Sequence, residues 1–516
     1  MNSREARMTS IELVPGEVSL NQLRRVIKQA PKMQLNQSTE DQVNRSRKVV
    51  DDLLKQNKVI YGVNTGFGKL AHKVISEDNL IELQHNLLRS HAVGTGEMLS
   101  PGITKAILFI KINSLAQGYS GTRWEIIQYL TALYHADILP MIPAKGSVGA
   151  SGDLAPLAHL SLLLIGEGEA QHGKQAISGA QVLEYLKLDR LVLQPKEGLA
   201  LINGTQVSTA ILAYALHLTQ IVFEAAMIAG SLSVCASLSS ATPFDEKIHA
   251  IRRLPEQEQV AKVLRTLTNN PFENDISAAR VQDPYSIRCQ PQVMGSCLAV
   301  MRQCAKTLST EINAVTDNPL IFSETQEILS GGNFHAEPIA FAADNLACAI
   351  AEIGNLSERR INLLCDHSLS GLPDFLMQEN GLNSGYMMPH VTAAALCSEN
   401  KIFAHPASVD NIPTSGNQED HVSMATTAAY RLLTMVENVA DIISIELMAA
   451  CQGIDLLPEK LSAGILRTSY ETVRKQVPFY DKDRFFAPDM RAIKEQLWAE
   501  SFKLSADVES KIDVFN

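Results

Sequence analysis

Cysteine is absent from the first 234 residues. The eight that follow (Cys235, Cys289, Cys297, Cys304, Cys348, Cys365, Cys397 and Cys451) form no Cys-x-x-Cys pair. Most of them sit inside apolar helical patterns, so buried reduced thiols are expected rather than a disulfide framework. Extended basic clusters are missing too. Arg24-Arg25 and Arg359-Arg360 are isolated pairs in a chain of net charge -11, which argues against nucleic acid as the main partner. Such pairs read as solvated helix faces or local ion pairs. The N-terminus, MNSREARMTSIELVPGEV, carries charges but no apolar h-region. No secretory signal is therefore expected, and the cytoplasm is the default compartment. Internal repeats and low-complexity tracts are absent as well.

What is present is apolar mass. At 516 residues and 46% hydrophobic, the chain can bury a large core, and its length allows two to four domains. The opening IELVPGEVSLNQLRRVI predicts a short strand, a Pro-Gly turn and a helix, with Ser19 and Gln22 at capping-box spacing. A second helix is expected from Ser38-Thr39 to Asn57. VIYGVNTGFG then sets Gly62, Gly66 and Gly68 behind a β-branched run, a loop able to serve as a lid. From about residue 105 onward the pattern predicts helix almost throughout. Gln206–Leu238, Pro338–Leu364 and Ser423–Leu456 are long and apolar around most of their circumference, so they must be covered on all sides. That favours a central bundle of long helices partly covered by neighbouring subunits. Thr209 to Leu238 is apolar enough for a bilayer, but His217, Gln220 and Glu224 near its middle favour a buried core helix.

One stretch fits no common motif. GSVGASGDLAPLAH, Gly146 to His159, surrounds Ser151 with glycines and runs straight into an apolar segment. A phosphate loop needs a lysine that does not follow, a dinucleotide loop needs different glycine spacing, and a nucleophile elbow needs glycine where Asp153 stands. A flexible loop before a helix is the plain alternative. Another reading uses every residue. Attack of the Gly152 amide nitrogen on the Ala150 carbonyl carbon closes a five-membered ring, and loss of two waters, one from the Ser151 hydroxyl, leaves an exocyclic methylidene. Small residues are needed because backbone nitrogen and carbonyl must approach far inside normal contact. The product, a 4-methylidene-imidazol-5-one, is an electrophile that needs no external cofactor. Asp153 and the residues after it are expected to start a helix whose positive end favours negative charge on the ring.

The same stretch resembles the self-cyclising signature of the aromatic amino-acid ammonia-lyases, and the resemblance runs from roughly Ile11 past Leu456. It implies a mainly α fold with a long-helix bundle core, fumarase/aspartase-like, and a smaller mixed α+β N-terminal domain. The implied division is residues 1–115, carrying the tyrosine loop, and 116–516, carrying the cyclised Ala150-Ser151-Gly152. It also implies a homotetramer whose active sites draw on several subunits. By resemblance, YGVNTGFGKLA makes Tyr61 the base for the substrate β-proton, and LINGTQ places Asn203 against ring and substrate. VQDPYSIRCQPQVMG sets Gln282 and Tyr285 beside the electrophile and gives Arg288 the α-carboxylate. If that segment is helical, 282, 285 and 288 share one face. SGGNFHAEP supplies Phe334 as a wall. Ser90-His91 and Glu419 in NQEDHVSM resemble the members that act on histidine. A buried imidazole needs a partner for its N–H, and Glu419 can accept it while His91 orients the ring. A phenyl ring would strand that carboxylate.

The expected activity is therefore non-oxidative deamination of L-histidine to trans-urocanate and ammonia, without nucleic acid, membrane or metal. A tyrosine or phenylalanine ammonia-lyase or 2,3-aminomutase is the chemical rival, and an idle helical scaffold is the non-catalytic one. A metal-dependent lyase built on His91, Glu419 and His421 gains little support from their spacing.

Overall fold

The computed structural model describes residues 10–56, 58–66, 68–274, 278, 280–379 and 381–516. The chain opens with β1 (Ser10–Leu13), α1 (Leu20–Gln29), β2 (Lys32–Leu35) and α2 (Gln37–Lys55), with β1 and β2 parallel. Ser19 and Gln22 close the expected capping box on α1. α2 starts two residues earlier than its serine and threonine suggest, because Asn36 provides the cap by accepting from the Thr39 N–H. α3 (Leu80–His91), β3 (Thr95–Met98) and α4 (Pro101–Ala116) follow.

Short strands then interrupt the helices: β4 (Ile138–Pro140), β5 (Pro143–Lys145), β6 (Glu169–His172) and β7 (Gln175–Ser178). β3 pairs with β5, while β4, β6 and β7 form an antiparallel sheet. The expectation of helix almost throughout after residue 105 overlooked them. At three or four residues each, two of them bounded by prolines, they are too short to display a period of two. Between them lies α5 (Leu154–Leu162), and α6 (Glu197–Ile202) follows.

The core is built on α7 (Gln206–Ala236), α10 (Glu337–Cys365) and α11 (Ala425–Asp455), which pack on one another. Two shorter helices precede α10: α8 (Tyr285–Arg288) and α9 (Gln290–Glu311). The three long helices match the apolar stretches of the sequence to within two residues, and one hydrophobic cluster runs from Ile11 to Phe515. Two of them, α7 and α10, are long and apolar enough to cross a membrane, with 83% and 67% of the relevant window buried inside the protein. The polar residues of α7 are covered by the C-terminal segment, where Phe515 stands edge-on to His217 and the Val514 N–H donates to Gln220. Five of the eight thiols are buried and none is bridged.

Two of the buried charge clusters bear on the helix core and on the site. Arg360 is fully enclosed, not on a solvated face as its Arg-Arg pair suggested. Its guanidinium grips Glu446, whose two oxygens also accept from Ser233 and Ser357. This pair links α10 to α11. Lys111, in the middle of apolar α4, donates to the Asn203 carbonyl at 2.9 Å, near a Lys196–Asp317 ion pair of 2.7 Å. Burial pushes the Lys111 ammonium down to about 7, against the pull of Asp317 and helped by repulsion from Lys196.

Two outcomes are expected. Glu446→Ala strands the Arg360 charge and costs about 3–5 kcal/mol, whereas a joint Arg360→Met, Glu446→Leu replacement is near neutral, as read by thermal unfolding. The unfolded chain keeps the Lys111 proton up to its ordinary range, whereas the folded chain sheds it above about 7. Wild-type stability relative to Lys111→Met should therefore rise from about pH 7 to about pH 9. A flat difference would show that Lys111 keeps its proton in the fold.

Candidate active site

Four helix N-termini converge on the glycine-rich loop. Asp153 immediately precedes α5, yet its carboxylate serves other helices. Oδ2 accepts from the Val207 and Ser208 N–H groups at 3.1 and 2.8 Å and from the Ser208 hydroxyl at 2.9 Å, capping α7. Oδ1 accepts from Ser147 at 2.9 Å and from Thr426, in the first turn of α11, at 2.7 Å. The Gly149 carbonyl receives the Ala336 N–H at the head of α10 and the Ser423 hydroxyl before α11. Together these ends present partial positive charge to one small volume, which favours any negative charge arising there.

Close approach explains the glycines. Gly149 and Gly152 have φ of +66° and +72°, and a Cβ on them would lie 2.4 Å from the Ser423 hydroxyl and 2.2 Å from the Gly204 carbonyl oxygen. The Asp153 N–H donates to that same Gly204 oxygen at 2.8 Å. Among the described residues no hydrogen bond engages the Gly152 N–H, the nitrogen that ring closure would use. The Ser151 carbonyl accepts from Asn203 Nδ2 at 2.7 Å, and its hydroxyl donates to Glu419. Asn203 Oδ1 is shut off from solvent without a partner. This cradle fits a cyclised Ala150-Ser151-Gly152: the nitrogen is unengaged, the serine hydroxyl is held, and Gly152 carries no Cβ where one would meet the Gly204 backbone.

Above the loop opens a cavity of about 1080 Å³. Tyr61, His91, Ala150, Ser151, Asn203, Phe334 and Glu419 all line it, and Gly152 is buried just behind. Tyr61 lies on the expected loop, where its hydroxyl accepts from the Gly68 N–H at 3.3 Å. Val63 anchors that loop by packing with Val49, Val50 and Ile321. His91 ends α3. Its Nδ1 lies 2.9 Å from the Leu87 carbonyl, which can only accept, so Nδ1 carries the proton and Nε2 keeps a lone pair. Burial pushes the His91 imidazole below its ordinary range despite the opposing Leu87 carbonyl and Glu419. Burial works to raise Glu419, but the hydroxyls of Ser151, Thr414 and Ser415, with His91 nearby, overcome it and hold the carboxylate below its usual range. A neutral imidazole thus shares the cavity with an ionised carboxylate.

Gln282, Tyr285 and Arg288 do not line this cavity. Only 285–288 are helical. Asp283 and Pro284 stand outside α8, and Cys289 breaks it from α9, so the expected single helical face is not formed. The Arg288 guanidinium lies 4.6 Å over the Tyr285 ring, and Tyr285 is 69% exposed. This block is tied to the far end of α7: the Ser240 N–H donates to Asp283, and Arg280 donates to the Ser237 carbonyl. A 31-residue helix is about 45 Å long, whereas Ser151 and Asn203 sit at the near end of α7.

Sequence reasoning assigned no side chain to the α7 cap, to Lys111 beneath Asn203, or to Thr414 and Ser415 behind Glu419. The motif around Asp153 was legible, but nothing in it names the helix that its side chain serves.

The chain is 51% identical to histidine ammonia-lyase of Desulfotalea psychrophila over 496 residues, which is 96% of this chain and 97% of that one. The crystal structure of histidine ammonia-lyase from Trypanosoma cruzi superposes with a TM-score of 0.89 at 37% identity, covering 98% of both chains. Tyrosine aminomutase from Streptomyces globisporus superposes at 0.90 with 32% identity, covering 96% of this chain and 97% of the other. The sequence model of the aromatic amino acid lyases matches residues 18–475, and the chain belongs to that family of carbon–nitrogen lyases.

Proposed function

We propose that this protein deaminates L-histidine to trans-urocanate and ammonia in the cavity over Ser151. The observation that carries the reading is the Glu419 carboxylate, ionised in a half-buried wall beside neutral His91 and held by the Thr414 and Ser415 hydroxyls, which remain once the Ser151 hydroxyl is lost to ring closure. An imidazole ring satisfies that wall through its N–H, whereas a phenyl ring brings no donor and would leave it worse paired. The identity to named histidine ammonia-lyases supports the same substrate.

The residues that would form the prosthetic group are Ala150, Ser151 and Gly152, and a methylidene-imidazolone there supplies a carbon electrophile. The other roles fall to side chains. Asn203 holds the Ser151 carbonyl and is itself braced by Lys111. Glu419 and His91 orient the substrate ring, and Phe334 limits its travel. Tyr61, on the loop covering the cavity, takes the β-proton. Arg288 grips the α-carboxylate in two-pronged fashion, with Gln282 and Tyr285 beside it. Because the length of α7 separates that block from Ser151, these three residues reach the cavity from another copy of the chain. A homotetramer with shared sites meets this requirement.

Three outcomes test the reading. Ser151→Ala should lower urocanate formation by on the order of 10³-fold or more, the scale of removing a group essential to covalent chemistry. Glu419→Gln should reduce kcat/KM for L-histidine by about tenfold to a hundredfold, the worth of a hydrogen bond to a charged group. Faster turnover of L-tyrosine or L-phenylalanine than of L-histidine by wild type, assayed as coumarate or cinnamate, would overturn the substrate assignment. Co-expressed Ser151→Ala and Arg288→Met chains should recover activity well above the sum of the two alone. No recovery in verified mixed assemblies would contradict shared sites.

A further inference from the structure

At the edge of the same cavity stand three side chains, two of them lining it, that neither the core nor the chemistry above employs. His335 and Glu337 flank the start of α10, and His421 lies two residues after Glu419. The two imidazoles are stacked, with centroids 5.6 Å apart and planes 7° from parallel. Glu337 Oε2 lies 3.8 Å from both His335 Nδ1 and His421 Nε2. One donor atom from each residue falls within 4.8 Å of the others, the only such trio among the described residues.

Two observations point to a cation. Glu337 Oε2 is sealed from solvent and has no hydrogen-bond partner. An acceptor left in that state is destabilising, and 3.8 Å is too long for a hydrogen bond from either ring. A simple ion pair would close to hydrogen-bonding distance; this spacing leaves room for a body between the groups. The second observation is a tautomer. His335 Nε2 lies 3.2 Å from the His421 carbonyl oxygen, which only accepts, so Nε2 carries the proton. His335 Nδ1 is then left with its lone pair facing Glu337.

Donors so spaced surround a point within about 2.5 Å of each, against roughly 2.0–2.2 Å for zinc–nitrogen and zinc–oxygen bonds. Movements of a few tenths of an ångström would complete the contacts. Two imidazoles and one carboxylate suit zinc-class ions and are too rich in nitrogen for magnesium or calcium. His335 and His421 also line the cavity, so a bound ion would keep an open position toward it. The sequence reading expected no metal and weighed His91 and Glu419 with His421. Those two are engaged elsewhere, with Leu87 and with three hydroxyls respectively.

We infer that His335, Glu337 and His421 form a binding site for one divalent transition-metal ion of the zinc class. This site does not depend on the histidine reading, since its ligands take no part in it. The test is calorimetric titration of the chelator-stripped full-length protein with Zn²⁺ alone, without substrate. One ion per chain should bind, and His335→Ala and His421→Ala should each weaken binding by about tenfold or more. The His421 side chain is 66% exposed, so its replacement leaves the fold intact and keeps the comparison clean. Absence of saturable binding, or binding that His421→Ala leaves unchanged, would overturn the assignment.

Discussion

The buried carboxylate of Asp153 is the contact on which the rest of the site depends. It accepts five hydrogen bonds and ties the glycine-rich loop to the first turns of α7 and α11. A carboxylate at two helix N-termini is favourable twice over, because it satisfies orphan N–H groups and faces positive dipole ends. In holding those helices it also holds Gly152 against Gly204, with no space for a side chain between them. The long helices fix the position of the loop, and the loop brings together the ends of the helices.

Electrostatics in the cavity follow from that arrangement. The helix ends bias it toward negative charge, yet the ionisable walls are arranged in opposite senses. His91 is kept neutral, mainly by burial, while Glu419 is kept ionised by three hydroxyl donors that outweigh burial. Lys111 sits behind Asn203, which holds the Ser151 carbonyl, and gives up its proton more readily than an exposed lysine would. A ligand that fits must bring a hydrogen-bond donor to Glu419 and pack against a neutral imidazole at His91. These demands select chemistry more sharply than the shape of the cavity does.

Much of this was legible in the sequence. The three long helices were visible because they are apolar all round, and the tripeptide because no common glycine motif accommodates it. Seven expected positions from six separate segments meet in one cavity, which follows from motifs specific enough to fix residues individually. Three things were not legible. The strands β4 to β7 are too short to leave a pattern. Arg360 looked like a surface residue because its partner Glu446 lies 86 positions away. Gln282, Tyr285 and Arg288 were read as one helical face, but Asp283 and Pro284 hold Gln282 outside the helix. A linear sequence also cannot say how far Arg288 lies from Ser151; the length of α7 separates them.

The central claim is that Ala150, Ser151 and Gly152 close into a dehydrated ring. Intact-mass measurement of active, freshly purified protein tests it most directly. The account predicts a chain lighter than its translated sequence by two waters, with the loss confined to the peptide that contains Gly146 to His159. A fully active protein with the unmodified mass would contradict it.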